Sequence, residues 1–263
     1  AHTNAGAFST TNVDIGVPGL GNIKVAQGVS GTGIQRLDDI TPTVWEEADG
    51  AGISAGINKI AGTSAGGTIE VSGLEAAPAG LDIKFAYSPD SDGGAASDKG
   101  AGGSSGVLGS GWDLTATATS DLHGVDGLTV YAGISEVDQQ LNAATYSGDV
   151  EETVYGIKYA MGSFTAGWQR STEDTGQTGV TEYENTAYGI TFSVNDDLSI
   201  GYGHVESDGS GSAASPEADA YQIAYTMGGA SIRIAEVDVS NATYSTASNA
   251  DKDGTVISLG LAF

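Results

Sequence analysis

The chain of 263 residues has no cysteine, and only nine lysines and arginines against 34 aspartates and glutamates. Without cysteine there is no disulfide framework and no thiolate metal site, which suits a compartment where a free thiol would oxidise. So few basic residues exclude a phosphate-tracking groove, because nucleic acids and anionic surfaces are held by clustered Lys and Arg. No nucleic-acid partner is therefore expected. Nowhere do 18 apolar residues run together, so no membrane-spanning helix is encoded. The amino terminus lacks a basic stretch followed by an apolar one, as expected of an exported protein in mature form. Signatures of catalysis are wanting too. His2, His123 and His204 lie far apart, and there is no Ser-centred elbow, phosphate loop or metal-spaced His pair. The expectation is a protein that is not an enzyme and has no cofactor.

What is present is a period of two. In the last dozen residues, Lys252–Phe263, the side chains of Ile257, Leu259, Leu261 and Phe263 share one face. A soluble domain seldom ends on an unprotected apolar strand, whereas a closed barrel in a bilayer needs its last strand paired. The same alternation recurs at Phe8–Val17, Gly21–Gly28, Gly67–Leu74, Leu81–Ser88, Trp112–Thr119, Leu128–Val137, Glu152–Met161, Phe164–Ser171, Tyr183–Val194, Leu198–Glu206, Ala218–Met227 and Ala230–Val239. That predicts thirteen strands, with one short helical candidate inside Thr43–Ala48.

The two faces differ in kind. One carries Tyr, Ile, Phe, Leu and Met; the other is Gly, Ala, Ser, Thr and Gln with an occasional Lys or Arg. A sandwich core would be bulky on its buried side, whereas a wide barrel is apolar toward lipid and polar toward water. Tyr87, Trp112, Tyr155, Tyr183, Tyr202 and Tyr225 near strand ends read as interfacial girdles. Short turns at Pro18–Gly21, Glu75–Gly80, Ser120–Gly127, Gly162–Ser163, Asn195–Asp197 and Gly228–Gly229 alternate with long connections, of which Val29–Gly66 is the longest. The expected fold is all-β, an antiparallel transmembrane β-barrel forming one domain over residues 1–263. If Phe263 ends at the periplasmic rim, Ala1 falls at the extracellular end. An even-stranded barrel then requires an odd number of strands before it.

The run Phe8–Gly28, strand, Gly-rich tight turn and short strand before a long loop, together with the terminal Phe263, resembles the general diffusion porins of Gram-negative outer membranes, of alphaproteobacterial type. The resemblance implies a sixteen-stranded barrel, a homotrimer set in outer-membrane lipid and lipopolysaccharide, and passive passage of ions and small hydrophilic solutes. It also implies that residues 29–66 contain a loop folded into the lumen to constrict it. On Val29–Gly52 this places Arg36, Asp38, Asp39, Glu46, Glu47 and Asp49 beside Trp45. In that family acidic loop residues face basic wall residues, and inward parity nominates Lys24, Lys84, Lys158 and Arg233 for the wall. The acidic balance then predicts a cation bias.

Other readings stand beside this one. Asp38 and Asp39 offer the clustered oxygens that Ca²⁺ prefers, but they follow no EF-hand or nonapeptide spacing, and a solvated acidic loop is the plainer account. Inward Lys and Arg also have a purely structural explanation, since a charge on the lipid face costs roughly 2–4 kcal/mol at the midplane. A structural or adhesive surface protein would show a fixed short repeat, and none is found. A substrate-specific channel would line its lumen with aromatic or Arg ladders, while the positions of lumen parity here are mostly small.

Overall fold

The computed structural model describes residues 11–27, 29–63, 67–91, 108–141, 144–179 and 182–261. These form a single antiparallel meander of thirteen strands. In order they are β1 (Thr11–Val17), β2 (Gly21–Gln27), β3 (Gly67–Ser72), β4 (Leu81–Ser88), β5 (Leu108–Ala118), β6 (Leu128–Gln139), β7 (Val150–Met161), β8 (Phe164–Asp174), β9 (Glu182–Ser193), β10 (Leu198–Gly209), β11 (Glu217–Met227), β12 (Ala230–Ser240) and β13 (Lys252–Leu261). Each pairs with its neighbours in sequence, and among the described residues β1 and β13 do not pair with each other, so the sheet is open there. Every predicted strand forms. The ends predicted at Phe8–Thr10 and Ala262–Phe263 lie outside the described residues.

Turn chemistry explains the meander. β7 and β8 join through Gly162 and Ser163, and β11 and β12 through Gly228 and Gly229. Gly162 and Gly228 adopt φ of 59° and 58°, the left-handed region that tight hairpins require. At the other end of the strands the connections are long.

The apolar face points away from the protein. On β7, Tyr155, Ile157, Tyr159 and Met161 are 41–62% exposed while Glu152, Val154 and Gly156 on the alternate face are buried. The pattern repeats with Ile15, Val25, Phe85, Ile134, Ile190 and Ile223. Each such side chain, about half exposed, forgoes on the order of 1 kcal/mol if water is its solvent. A belt of them is stable only against hydrocarbon.

The opposite face is covered by the chain itself. The β2–β3 connection, residues 29–63 as described, lies along it and supplies the apolar contacts that the wall lacks. Ile34, Leu37 and Ile60 of this loop pack on Tyr131 of β6 and Val154 of β7. Further along, Ala48, Ala51 and Ala55 meet Val205, Ala220 and Val237 of β10–β12. The small inner residues of the strands are therefore seats for a loop as well as a polar wall. A Cβ on Gly189 would stand 2.2 Å from the carbonyl oxygen of Pro42, and one on Gly167 would stand 2.5 Å from its ring.

Two expectations are corrected. Thr43–Ala48 forms bends and no helix, because the N–H groups of Trp45 and Glu46 are taken by the Gln222 side chain, which also donates to the Glu46 carbonyl. The short helices lie elsewhere, at Gly33–Leu37, Ser120–His123 and Ala242–Tyr244. Tyr183 is no girdle residue: it has the inward parity of Asn185 and packs on Tyr244 of the β12–β13 connection, ring centroids 5.0 Å apart.

Candidate functional site

The inner loop can be followed by its hydrogen bonds. Gly33 N–H donates to Glu70 of β3 at 3.0 Å and Ile34 N–H to Asp113 of β5 at 3.2 Å. Gln169 of β8 donates to the Asp38 carbonyl at 2.6 Å. Gln222 of β11 holds Trp45 and Glu46, and Lys252 of β13 donates to the Ser54 carbonyl at 3.1 Å. The chain then returns. Asn185 of β9 donates to the Asn58 carbonyl at 2.7 Å, Glu152 of β7 accepts from Ala61 and Gly62 at 2.9 and 2.8 Å, and Asp113 accepts from both N–H and hydroxyl of Thr63. One loop thus spans the inner face from β3 to β13 and back, fixed by wall side chains that bond its backbone.

Between the two limbs the loop gathers its acids. Asp39 and Asp49 lie 2.7 and 2.9 Å from the ammonium of Lys59, and Asp38 lies 3.8 Å from it. Burial pushes the Asp38 carboxyl up to about 8 against the pull of Lys59, with Asp39 and Asp49 adding to the rise. Burial also raises Glu47 to about 7, helped by the charge of Asp39. Burial works to lower Lys59, but Asp49, Asp38 and Asp39 outweigh it and hold its pKa above the ordinary lysine value.

The nominated residues divide into groups. Asp38, Asp39 and Asp49 come together, and Glu47 lines one recess with them and Lys59. Lys158 of β7 lines a neighbouring recess together with Asp39 and Glu47. Arg36 instead turns to the wall, bonding Glu70 and donating to the Gly33 carbonyl at 3.0 Å. Glu46 is placed by its backbone through Gln222. Lys24 lies 3.8 Å from Asp14 of β1, and Lys84 pairs with Asp82 of its own strand. Arg233 is exposed at inward parity on β12. As for calcium, no three His, Cys, Asp or Glu side chains converge as a metal site among the described residues, and Lys59 supplies the positive charge between Asp38 and Asp39.

Sequence reasoning missed Lys59 and the anchors Glu70, Asp113, Glu152, Gln169 and Gln222. The anchors carried a usable signal. Each is a large polar residue at inward parity, and on β3, β5 and β11 the other inward positions are small.

Solved structures of similar shape share the strand arrangement. A porin refined at 1.8 Å resolution superposes with a TM-score of 0.65 at 15% identity, over 96% of this chain and 80% of that one. The chain has the fold of the outer-membrane porins. The anion-selective porin of Comamonas acidovorans shares this porin fold at a TM-score of 0.61 and 12% identity, over 88% of this chain and 67% of its own. A loop-deletion form of OmpT, an outer membrane protein of Vibrio cholerae, does so at 0.59 and 11%, over 96% and 79%. No protein-family model and no curated protein matches the sequence.

Proposed function

We propose that the protein is an outer-membrane diffusion channel through which ions and small hydrophilic solutes pass down their gradients, limited in size at the inner loop and biased toward cations. One observation carries the reading: a sheet apolar toward its surroundings holds, on its other face, a 35-residue described loop segment whose acids crowd beside a recess shared with the wall. Charge focused by low-dielectric walls raises the local concentration of counter-ions. The net charge of -25 and the Asp38–Asp39–Glu47–Asp49 group both favour cations.

In this reading Asp38, Asp39, Glu47 and Asp49 with Lys59 and Lys158 form the constriction. Lys24, Lys84 and Arg233 are wall charges, and Arg36 and Glu46 brace the loop. The assembly is a homotrimer in outer-membrane lipid and lipopolysaccharide, and the activity requires neither cofactor nor conformational cycle. Single-channel recording in a planar bilayer, with reversal potential under a salt gradient, tests it. Conductance steps in groups of three with cation preference are expected. Folded, heat-modifiable protein that passes no current would overturn the channel.

A further inference from the structure

The outer surface of β9–β12 carries a polar site that the channel does not use. In register across these strands run Tyr188, His204, Asp219 and Asp238, and next to them Ile190, Tyr202, Tyr221 and Glu236. All have outward parity. Asp219 accepts from the Tyr202 hydroxyl, and its Oδ1 lies 3.0 Å from His204 Nδ1. Tyr188 stacks on His204 with centroids 4.7 Å apart, Tyr202 and Tyr221 lie 4.9 Å apart at 40°, and Tyr188 and Tyr202 lie 6.2 Å apart at 52°. Three phenol rings thus flank one carboxylate on the lipid-facing side.

An ordinary aromatic girdle needs no carboxylate. A carboxylate facing outward is costly near hydrocarbon unless a cation meets it. Yet the outer faces of β10–β12 carry Glu206, Asp208, Glu217, Asp219, Glu236 and Asp238, while Arg233, the one Lys or Arg of these strands, points inward. Among the described residues the ion-pair partner of Asp219 is His204. Directly beneath lies an apolar groove of about 560 Å³, lined by Phe164, Ile190, Phe192, Ile200, Ile223 and Ile234, with Tyr202, Tyr221 and Glu236 at its polar end. Electron-rich ring faces beside a carboxylate are the surroundings in which quaternary ammonium groups are bound, and a groove of this size is in the range that takes an alkyl chain.

We propose that Tyr188, Tyr202, Tyr221 and Asp219 bind the cationic ammonium head group of a zwitterionic membrane lipid of the choline class, with one of its acyl chains in the groove below. Charge complementarity selects this occupant: six outward carboxylates on β10–β12 face no Lys or Arg of those strands, and the outward Arg170 of neighbouring β8 is already paired with Glu184 of β9, so the surface repels an anionic lipid and attracts an ammonium. The inference rests on the outer face meeting lipid, as in the proposed function, but not on conduction.

Native mass spectrometry of the full chain from octyl glucoside micelles, doped with equimolar phosphatidylcholine and phosphatidylglycerol of identical chains, tests it. The expected result is one retained phosphatidylcholine per chain, preferred about tenfold over phosphatidylglycerol. Asp219→Asn and, separately, Tyr221→Leu should bring the preference close to unity, while Glu136→Gln on distant β6 should leave it intact. Tyr221 is 63% exposed, so its replacement does not threaten folding. Equal retention of both lipids by the unaltered protein, a preference indifferent to both substitutions, or burial of this face between copies of the chain with no lipid retained would each overturn the proposal. Phosphatidylcholine retention by protein that passes no current would keep the site and remove the channel.

Discussion

Lys59 Nζ stands 2.9 Å from Oδ2 of Asp49, with Asp39 at 2.7 Å on its other side. A single cation therefore compensates the densest group of acids on the inner loop. Lys59→Met leaves Asp38, Asp39 and Asp49 to repel one another. Breaking an exposed pair costs about 0–1 kcal/mol and a fully buried one about 3–5; Lys59 is 30% exposed and Asp49 10%, so the loss of stability should fall between. The permeability ratio of K⁺ to Cl⁻ should rise several-fold, read from the reversal potential. An unchanged ratio would mean that these acids do not border the ion path.

Asp38 and Glu47 should give the channel a pH-dependent selectivity near neutrality. Both are held above their ordinary values by burial, to about 8 and about 7, so they are mainly protonated at pH 6 and ionised at pH 9. Cation preference should increase across that interval. The stability effect has the opposite sense. Between about 4 and 8 the folded state retains protons that the unfolded chain has released, so stability falls as pH rises through this window. Lys59 adds no slope there, because a raised lysine loses its stabilisation only above its ordinary pKa. Reversal potentials and heat-modifiability measured at half-unit steps from pH 5 to 9 check both signs, and Asp38→Asn should shrink the step.

The strands were legible because lipid and polar interior impose opposite demands on alternate residues, as in Tyr155, Ile157 and Tyr159 against Val154, Gly156 and Lys158. The loop path was not. It depends on bonds between residues far apart in sequence, such as Gln222 with Trp45 and Glu46 or Glu152 with Ala61 and Gly62, and backbone N–H donors leave no local pattern. The acids of the loop were visible as Asp38-Asp39 and Glu46-Glu47, but their counter-ion was not. Lys59 sits alone in an otherwise uncharged stretch, and only the fold brings it back to Asp49. Small inward residues suggested a wide aqueous lumen, whereas Gly167 and Gly189 are small because Pro42 lies against them.

Glu152 should govern how firmly the returning limb is held. Its two carboxylate oxygens accept separately from Ala61 and Gly62. Glu152→Gln keeps the volume but replaces one acceptor by an NH₂ group aimed at an N–H, leaving a buried donor unsatisfied at about 1–3 kcal/mol. The limb should open more often, seen as increased open-channel noise and faster protease cleavage within residues 52–63. Glu152→Asp, which keeps both acceptors on a shorter stem, should lie between the two. Noise equal to that of the unaltered protein would show that the apolar contacts of Ile34 and Ile60 suffice.

Gly189 offers a steric test of the same loop from the wall side. Its absent Cβ leaves the space that the Pro42 carbonyl fills, and a methyl placed 2.2 Å from that oxygen forces one of them to move. The strand is pinned by pairing on both sides, Gly189 with Gly167 and with Gly203, so the loop is the part that yields. Overpacking of this kind costs about 1–3 kcal/mol. Gly189→Ala should therefore leave the barrel heat-modifiable, displace residues 41–43 and change single-channel conductance. Gly203→Ala is the matched control. A Cβ there meets Ala48 no closer than 3.7 Å, an ordinary contact, and conductance should stay at its original value. If the two substitutions behave alike, the loop does not set the pore.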